Sequence, residues 1–180
     1  TVQTLPEKRL HTKTPPPTSS KAVTKCLRGF IIQWPFSQLI LMGAKTEEVR
    51  QYEFDYMRTD KTDEEFWIVE GPQVCKKASK NAIVRGLQIA PRPTASQIVG
   101  TVRFASAHPY YSKEDFHHAR DSHRIAVGSK LDWDGSGTLY GWRVGDVRAL
   151  AEPVPVFNLR EGDVRASISV VFATTTAQYG

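Results

Sequence analysis

A chain of 180 residues with 40% apolar side chains can bury one well-packed domain and is too short for two full ones. Its two cysteines, Cys26 and Cys75, have neither metal-ligand spacing nor the density of a secreted disulfide scaffold, which excludes a cysteine zinc site and points to a reducing compartment. The formal charge of +5 is already reached by residue 28, where six basic residues oppose the single acid Glu7; the rest of the chain is neutral, with 18 residues of each sign.

Residues 1–24, with Pro15-Pro16-Pro17 among Thr, Ser and Lys, cannot bury apolar surface and are expected to form a flexible basic arm. The domain is expected over residues 25–175, with 176–180 as a tail. Residues 27–33 are apolar and partly β-branched, which predicts a strand; residues 36–42 with Gly43 behind them predict a short helix closed by a glycine. Residues 48–54, 66–70 and 97–105 read as strands, the last with Gly100 where a barrel strand bends, and 55–65 and 71–96 read as loops. Ser112 ahead of Lys113-Glu114-Asp115 has the form of a helix start, a serine cap followed by first-turn acids, leading through Phe116 to about Ser122. Asp134-Gly135-Ser136-Gly137 is a turn by composition, and 138–150, 154–157 and 166–173 are further strands. About six strands with two or three short helices make an α+β fold, a small mixed barrel.

The charges are segregated along the chain. Nine acids lie between residues 47 and 70 and none between 71 and 113, where Lys76, Lys77, Lys80, Arg85, Arg92, Arg103 and Lys113 fall. Folded onto one side of a barrel, that second stretch makes a positive surface for a polyanion, with Lys76, Lys77, Lys80 and Arg85 as phosphate contacts. Folded against the acidic stretch, it is cancelled locally. The arm likewise either attracts phosphates without regard to sequence or is a solvated tail.

Lys45, Glu48 and Arg50 crowd the exit of the predicted helix. If a strand starts near Glu48, then Glu48 and Arg50 share one face and Lys45 reaches over from the turn, so the three converge on one cleft. The alternative is a salt-bridged set that locks the turn. Trp133, Tyr140 and Arg143 put aromatic rings beside a guanidinium, a combination suited to stacking on a base, whereas Trp142 reads as core. Gln33 and Trp34 either border the same cleft or staple the helix to the barrel. Asp132-x-Asp134-x-Ser136 imitates the opening of a calcium loop, but its twelfth position is Arg143, where a bidentate carboxylate is required. Adjacent His117 and His118 point about 100° apart on a helix and do not share a metal easily; with His108 and His123 they read as solvent-exposed. No metal and no cofactor is expected. No apolar run is long enough to span a bilayer and the start lacks the layout of a signal peptide. A piece of a soluble intracellular protein, cytoplasmic or nuclear, is therefore expected.

The run Gly43-x-Lys45-x-x-Glu48-x-Arg50 resembles the signature of the ASCH family of small PUA-like β-barrels, and weaker similarity extends over residues 97–116 and over 142–156 with its Glu152-Pro153-Val154-Pro155. The resemblance implies a PUA-like barrel with this motif lining its pocket. It also implies a module that binds nucleic acid, RNA foremost, and holds a nucleotide or modified base against Gln33, Trp34, Lys45, Glu48, Arg50, Trp133, Tyr140 and Arg143. Some family members resemble amidohydrolases of acetylated cytidine, which join a lysine, a threonine three residues later and a distant glutamate. Here that threonine position is Glu48, and Glu114, the tempting distant acid, is explained by its place at a helix start. A small hydrolase of a modified nucleoside or of RNA, with Lys45 as base and Glu48 as its partner, is the alternative expectation. A protein-interaction domain of a coregulator-like assembly is the third.

Overall fold

The computed structural model describes residues 21–54, 64–74, 87–156 and 167–174. They contain β1 (Lys21–Trp34), α1 (Phe36–Leu41), β2 (Glu47–Arg50), β3 (Phe66–Val74), β4 (Gln97–Pro109), α2 (Lys113–His118), α3 (Arg120–His123), β5 (Tyr140–Pro155) and β6 (Ser167–Thr174). The chain divides into two compact units, Cys26–Ser169 and the smaller Thr1–Lys25 with Val170–Gly180. Of the smaller unit only strand residues, at the start of β1 and the end of β6, are described. Residues 1–20, most of the expected arm, and the tail lie outside the described residues.

In the larger unit the strands curl into a half-barrel, with neighbours in the order β2-β5-β4-β3-β1. β1 and β3 run parallel, and the β3–β4, β4–β5 and β2–β5 pairs are antiparallel, so the sheet is mixed. With three short helices this is the α+β class expected from the sequence. Several boundaries differ from expectation: β3 runs to Val74, into the stretch expected as a loop, and β4 runs to Pro109, past the expected end at 105. Two of the remaining differences have readable reasons. β1 begins at Lys21, before the apolar run that signalled it. β2 stops at Arg50 because Arg50 is paired with Tyr140, the first residue of β5, and the ladder has no further rung. β5 runs unbroken through Pro153, since β2 flanks it only as far as Arg143 and proline is tolerated where a strand side is unpaired. The expected bend at Gly100 coincides with a register shift between Ile98 and Gly100.

α1 buries Phe36, Ser37, Leu39 and Ile40 and ends at Met42, with Gly43 at φ 70° turning the chain, a conformation that glycine adopts without steric cost. Six residues are too few to hold a helix on propensity alone, so packing and side-chain bonds fix it. The fully buried Glu70 of β3 supplies those bonds: Oε1 accepts from Ser37 Oγ at 2.6 Å and Gln38 Nε2 at 2.7 Å, and Oε2 accepts from Gln97 Nε2 at 2.9 Å. Glu70→Ala strands all three donors, and urea denaturation is expected to register a loss of about 1–3 kcal/mol. A change within error would mean the three donors find other partners.

The core beneath is aromatic. Phe30, Phe54, Phe104 and Tyr52 surround the Trp142 ring at centroid distances of 4.6–5.4 Å, and Phe66 packs on Phe30 at 4.7 Å. The second helical region is two helices, separated at Ala119. Ser112 caps the first, its side chain accepting from the Asp115 N–H at 3.0 Å. Among the described residues no helix is long and apolar enough to cross a membrane.

Candidate functional site

Lys45 leaves the turn after α1 and is buried, 2% exposed. Its Nζ donates to the carbonyl of Glu47 at 2.6 Å and that of His123 at 2.8 Å, and lies 3.3 Å from Glu48 Oε2. An ammonium has three N–H donors, so these three acceptors saturate it. Burial drives the Lys45 pKa below its ordinary value; the Glu48 carboxylate pulls in the other direction, and Arg50 adds to the lowering. Glu48 Oε1 meets Arg50 Nη2 at 3.1 Å, and that same Nη2 donates to the Ile31 carbonyl at 3.0 Å. The guanidinium sits over the rings of Phe30 and Trp142, 5.8 and 6.0 Å from their centroids. The result is a continuous row, Lys45–Glu48–Arg50, in which each charge is partnered.

This row lines a cleft of about 790 Å³, within the roughly 300–1,000 Å³ common to small-molecule sites. Phe36, Val49, Gln51 and Tyr52 line it near the row, and residues 130–134 and 136–139 form the other side. The far wall is held by local bonds. Trp133 Nε1 donates to the Ser136 carbonyl at 2.7 Å, and Asp134 Oδ1 accepts from Ser136 N and Oγ at 2.8 and 2.6 Å. Those Ser136 bonds hold the Asp134 carboxyl below the usual carboxylate range. Asp132 accepts from the Gly128 N–H at 2.6 Å and faces His117 Nε2 at 3.0 Å. Burial opposes ionisation there, and these two partners outweigh it, so its carboxyl is also held low. Gly135 and Gly137, at φ 94° and 66°, turn this loop. Tyr52, 39% exposed, gives the cleft an aromatic edge.

Of the residues singled out from the sequence, Lys45, Glu48, Arg50 and Trp133 meet on this cleft. Gln33, Trp34, Tyr140 and Arg143 are not among its lining residues: the Trp34 indole donates to the Ala90 carbonyl at 3.1 Å, and Tyr140 and Arg143 are the rung partners of Arg50 and Glu47. Glu114 is exposed on α2, away from the lining. Lys76, Lys77, Lys80 and Arg85 lie outside the described residues. Sequence reasoning missed Tyr52, although it follows Glu48 and Arg50 at alternate positions. It missed Lys130 and Leu131 because nothing local ties that loop to β2. His123 corrects the expectation of exposed histidines: it is fully buried, with Nε2 2.7 Å from the Phe116 carbonyl and Nδ1 accepting from the Ile125 N–H at 2.9 Å. Among the described residues no group of three or more His, Cys, Asp or Glu side chains is arranged to hold a metal.

Fold and site together define a small α+β domain whose curled mixed sheet carries a partly aromatic cleft floored by a row of paired charges with one cation in excess. No protein-family model matches the chain, and no curated protein matches it. Among solved structures the chain is similar to ASCH from Zymomonas mobilis, at 11% identity and TM-score 0.48 over 73% of each chain. It is also similar to two mutants of that protein, at 11% identity and TM-score 0.47 over 72% of each chain, and at 12% and 0.48 over 73% of this chain and 75% of the other.

Proposed function

We propose that this chain is an ASCH-type, PUA-like module that binds RNA, holding one nucleotide or modified base in the cleft of Lys45, Glu48, Arg50, Tyr52 and Trp133. Aromatic edges suit the faces of a base, and the cleft is of a size for one. The basic side chains Lys130, Lys76, Lys77, Lys80 and Arg85, with the arm, are the proposed phosphate contacts, and the proposed compartment is intracellular, cytoplasmic or nuclear. The observation that favours binding over hydrolysis is the bonding of Lys45. A general base needs a lone pair, and the Lys45 ammonium spends all three N–H donors on two carbonyls and Glu48.

The test uses two exposed cleft residues, with urea denaturation of each variant as the control for folding, because the Tyr52 ring also meets the Trp142 ring edge-on. Tyr52→Ala is expected to weaken binding of a short single-stranded RNA by roughly tenfold, the scale of one lost base stack. Lys130→Ala is expected to lower the dependence of log affinity on log salt by about one unit, the value of one phosphate contact. Titrations across salt, with chromatography of the RNA afterwards, check both. Unchanged affinity and salt slope in both variants would remove the cleft from RNA binding, and a converted RNA would make the module a hydrolase.

A further inference from the structure

Glu47 precedes Glu48 on β2, so strand alternation sends its side chain to the opposite face, away from the cleft. That side chain is nonetheless buried. Its Oε1 accepts from the Tyr110 hydroxyl, and its Oε2 lies 3.7 Å from Nε2 of the half-exposed His108. Arg143 is its rung partner on β5. The space exists because Gly141 has no side chain: a Cβ there would sit on the Glu47 carboxylate and within 2.8 Å of His108 Cε1. Burial pushes the Glu47 carboxyl above its ordinary range, against the pull of His108, Lys45 and Arg143. A buried carboxylate kept in this way, beside but not in a binding cleft, calls for a role.

The role follows from what Lys45 is anchored to. One of its two carbonyl acceptors belongs to Glu47, whose side chain Tyr110 holds by a hydrogen bond. The other belongs to His123, whose ring the Tyr110 ring meets edge-on at 6.3 Å; both rings also pack on Phe116, Tyr110 at 5.2 Å and His123 at 4.3 Å. Tyr110 therefore touches the residues that supply both backbone anchors of the Lys45 ammonium, from a position where it does not line the cleft.

We propose that Tyr110, acting through the Glu47 carboxylate, is a positioning residue for the cleft: it sets where the Lys45 ammonium stands, and with it Glu48 and Arg50. Its bearing on ligand affinity rests on the reading of the cleft as an RNA site; its bearing on Lys45 does not. Tyr110→Phe removes one oxygen and keeps the ring packing, and Glu47→Ala removes the acceptor. Each is expected to weaken binding of the short single-stranded RNA by roughly three- to thirtyfold while unfolding stays cooperative. The double variant is expected to bind no more weakly than the poorer single one, because both remove the same link. Glu47→Gln retains a carbonyl oxygen for the Tyr110 hydroxyl and is expected to bind within about twofold of the parent.

The readout independent of ligand is the side-chain ¹⁵N resonance of the Lys45 ammonium in the full chain. It is expected to move and to exchange with water faster in Tyr110→Phe and Glu47→Ala, and to stay in place in Glu47→Gln. A moved resonance in a chain whose parent binds no RNA would uphold the positioning role and overturn the RNA reading alone. A Lys45 resonance unmoved in both Tyr110→Phe and Glu47→Ala would overturn the positioning role, whatever the RNA does.

Discussion

Lys45→Ala is expected to cost about 3–5 kcal/mol of folding stability, a loss large enough to appear in a urea titration before any effect on binding is considered. The buried Nζ joins the turn after α1 to the carbonyl of β2 residue Glu47 and, across the chain, to that of His123 at the end of α3. Removing it leaves two buried carbonyls unpaired and takes one of two cations from the buried Glu48. Arg50 still holds Glu48 Oε1 at 3.1 Å, so some of the charge remains compensated and the loss falls toward the lower end of that range. Lys45→Met, which fills the volume, is expected to lose less than alanine, and Lys45→Met with Glu48→Gln to recover part of the difference by removing the stranded charge. A Lys45→Ala variant within about 1 kcal/mol of the parent would mean that the three contacts contribute little beyond the solvation they replace. Weak RNA binding by Lys45→Ala is therefore poor proof of ligand contact, and Tyr52 and Lys130 are the better probes of the cleft.

What the sequence made legible were features settled over a few residues. The helix stop at Gly43, the cap at Ser112 and the turn at 134–137 each depend on one backbone conformation or one side-chain bond, and each forms as expected. The shared face of Glu48 and Arg50 follows from the period of a strand. What was hidden depends on residues far apart. Lys45 and His123 are 78 positions apart, and no local pattern marks a backbone carbonyl as the partner of a lysine. His123 looked like one polar residue in a polar helical stretch; the rings of Phe116 and Tyr110 bury it. His108 sits beside Glu47 because β4 continues to Pro109, past the predicted strand end at residue 105. Tyr140 and Arg143 looked like cleft residues from their neighbourhood in sequence, but the register pairs Arg143 with Glu47, whose side chain faces away from Glu48.

His123 gives the fold an expected acid sensitivity of its own. Both ring nitrogens are committed, Nε2–H to the Phe116 carbonyl and Nδ1 as acceptor from the Ile125 N–H, an arrangement only the neutral ring satisfies. Burial lowers its pKa to about 4, and the nearby charges of Lys45, His117 and Arg120 act in the same direction, while the bond to Phe116 opposes them. The unfolded chain takes up a proton near pH 6.5 and the folded chain near pH 4, so stability is fully present above about 6.5 and falls as pH drops through that window. The two pKa values put the loss at about 3 kcal/mol by pH 4. Glu47, raised by burial, works with the opposite sign, stabilising the fold as pH falls toward and below its ordinary range. The comparison must therefore be between the parent and His123→Gln, which carries no charge and can still donate and accept. Urea midpoints measured from pH 7 to pH 4 are expected to fall more steeply for the parent, with the curves converging at the acid end. Parallel curves would show that His123 does not keep its neutral form in the fold. Because the His123 carbonyl is one of the two backbone anchors of Lys45, protonation that loosens α3 also releases the ammonium from one side, so loss of the cleft should precede loss of the sheet as the acid transition begins.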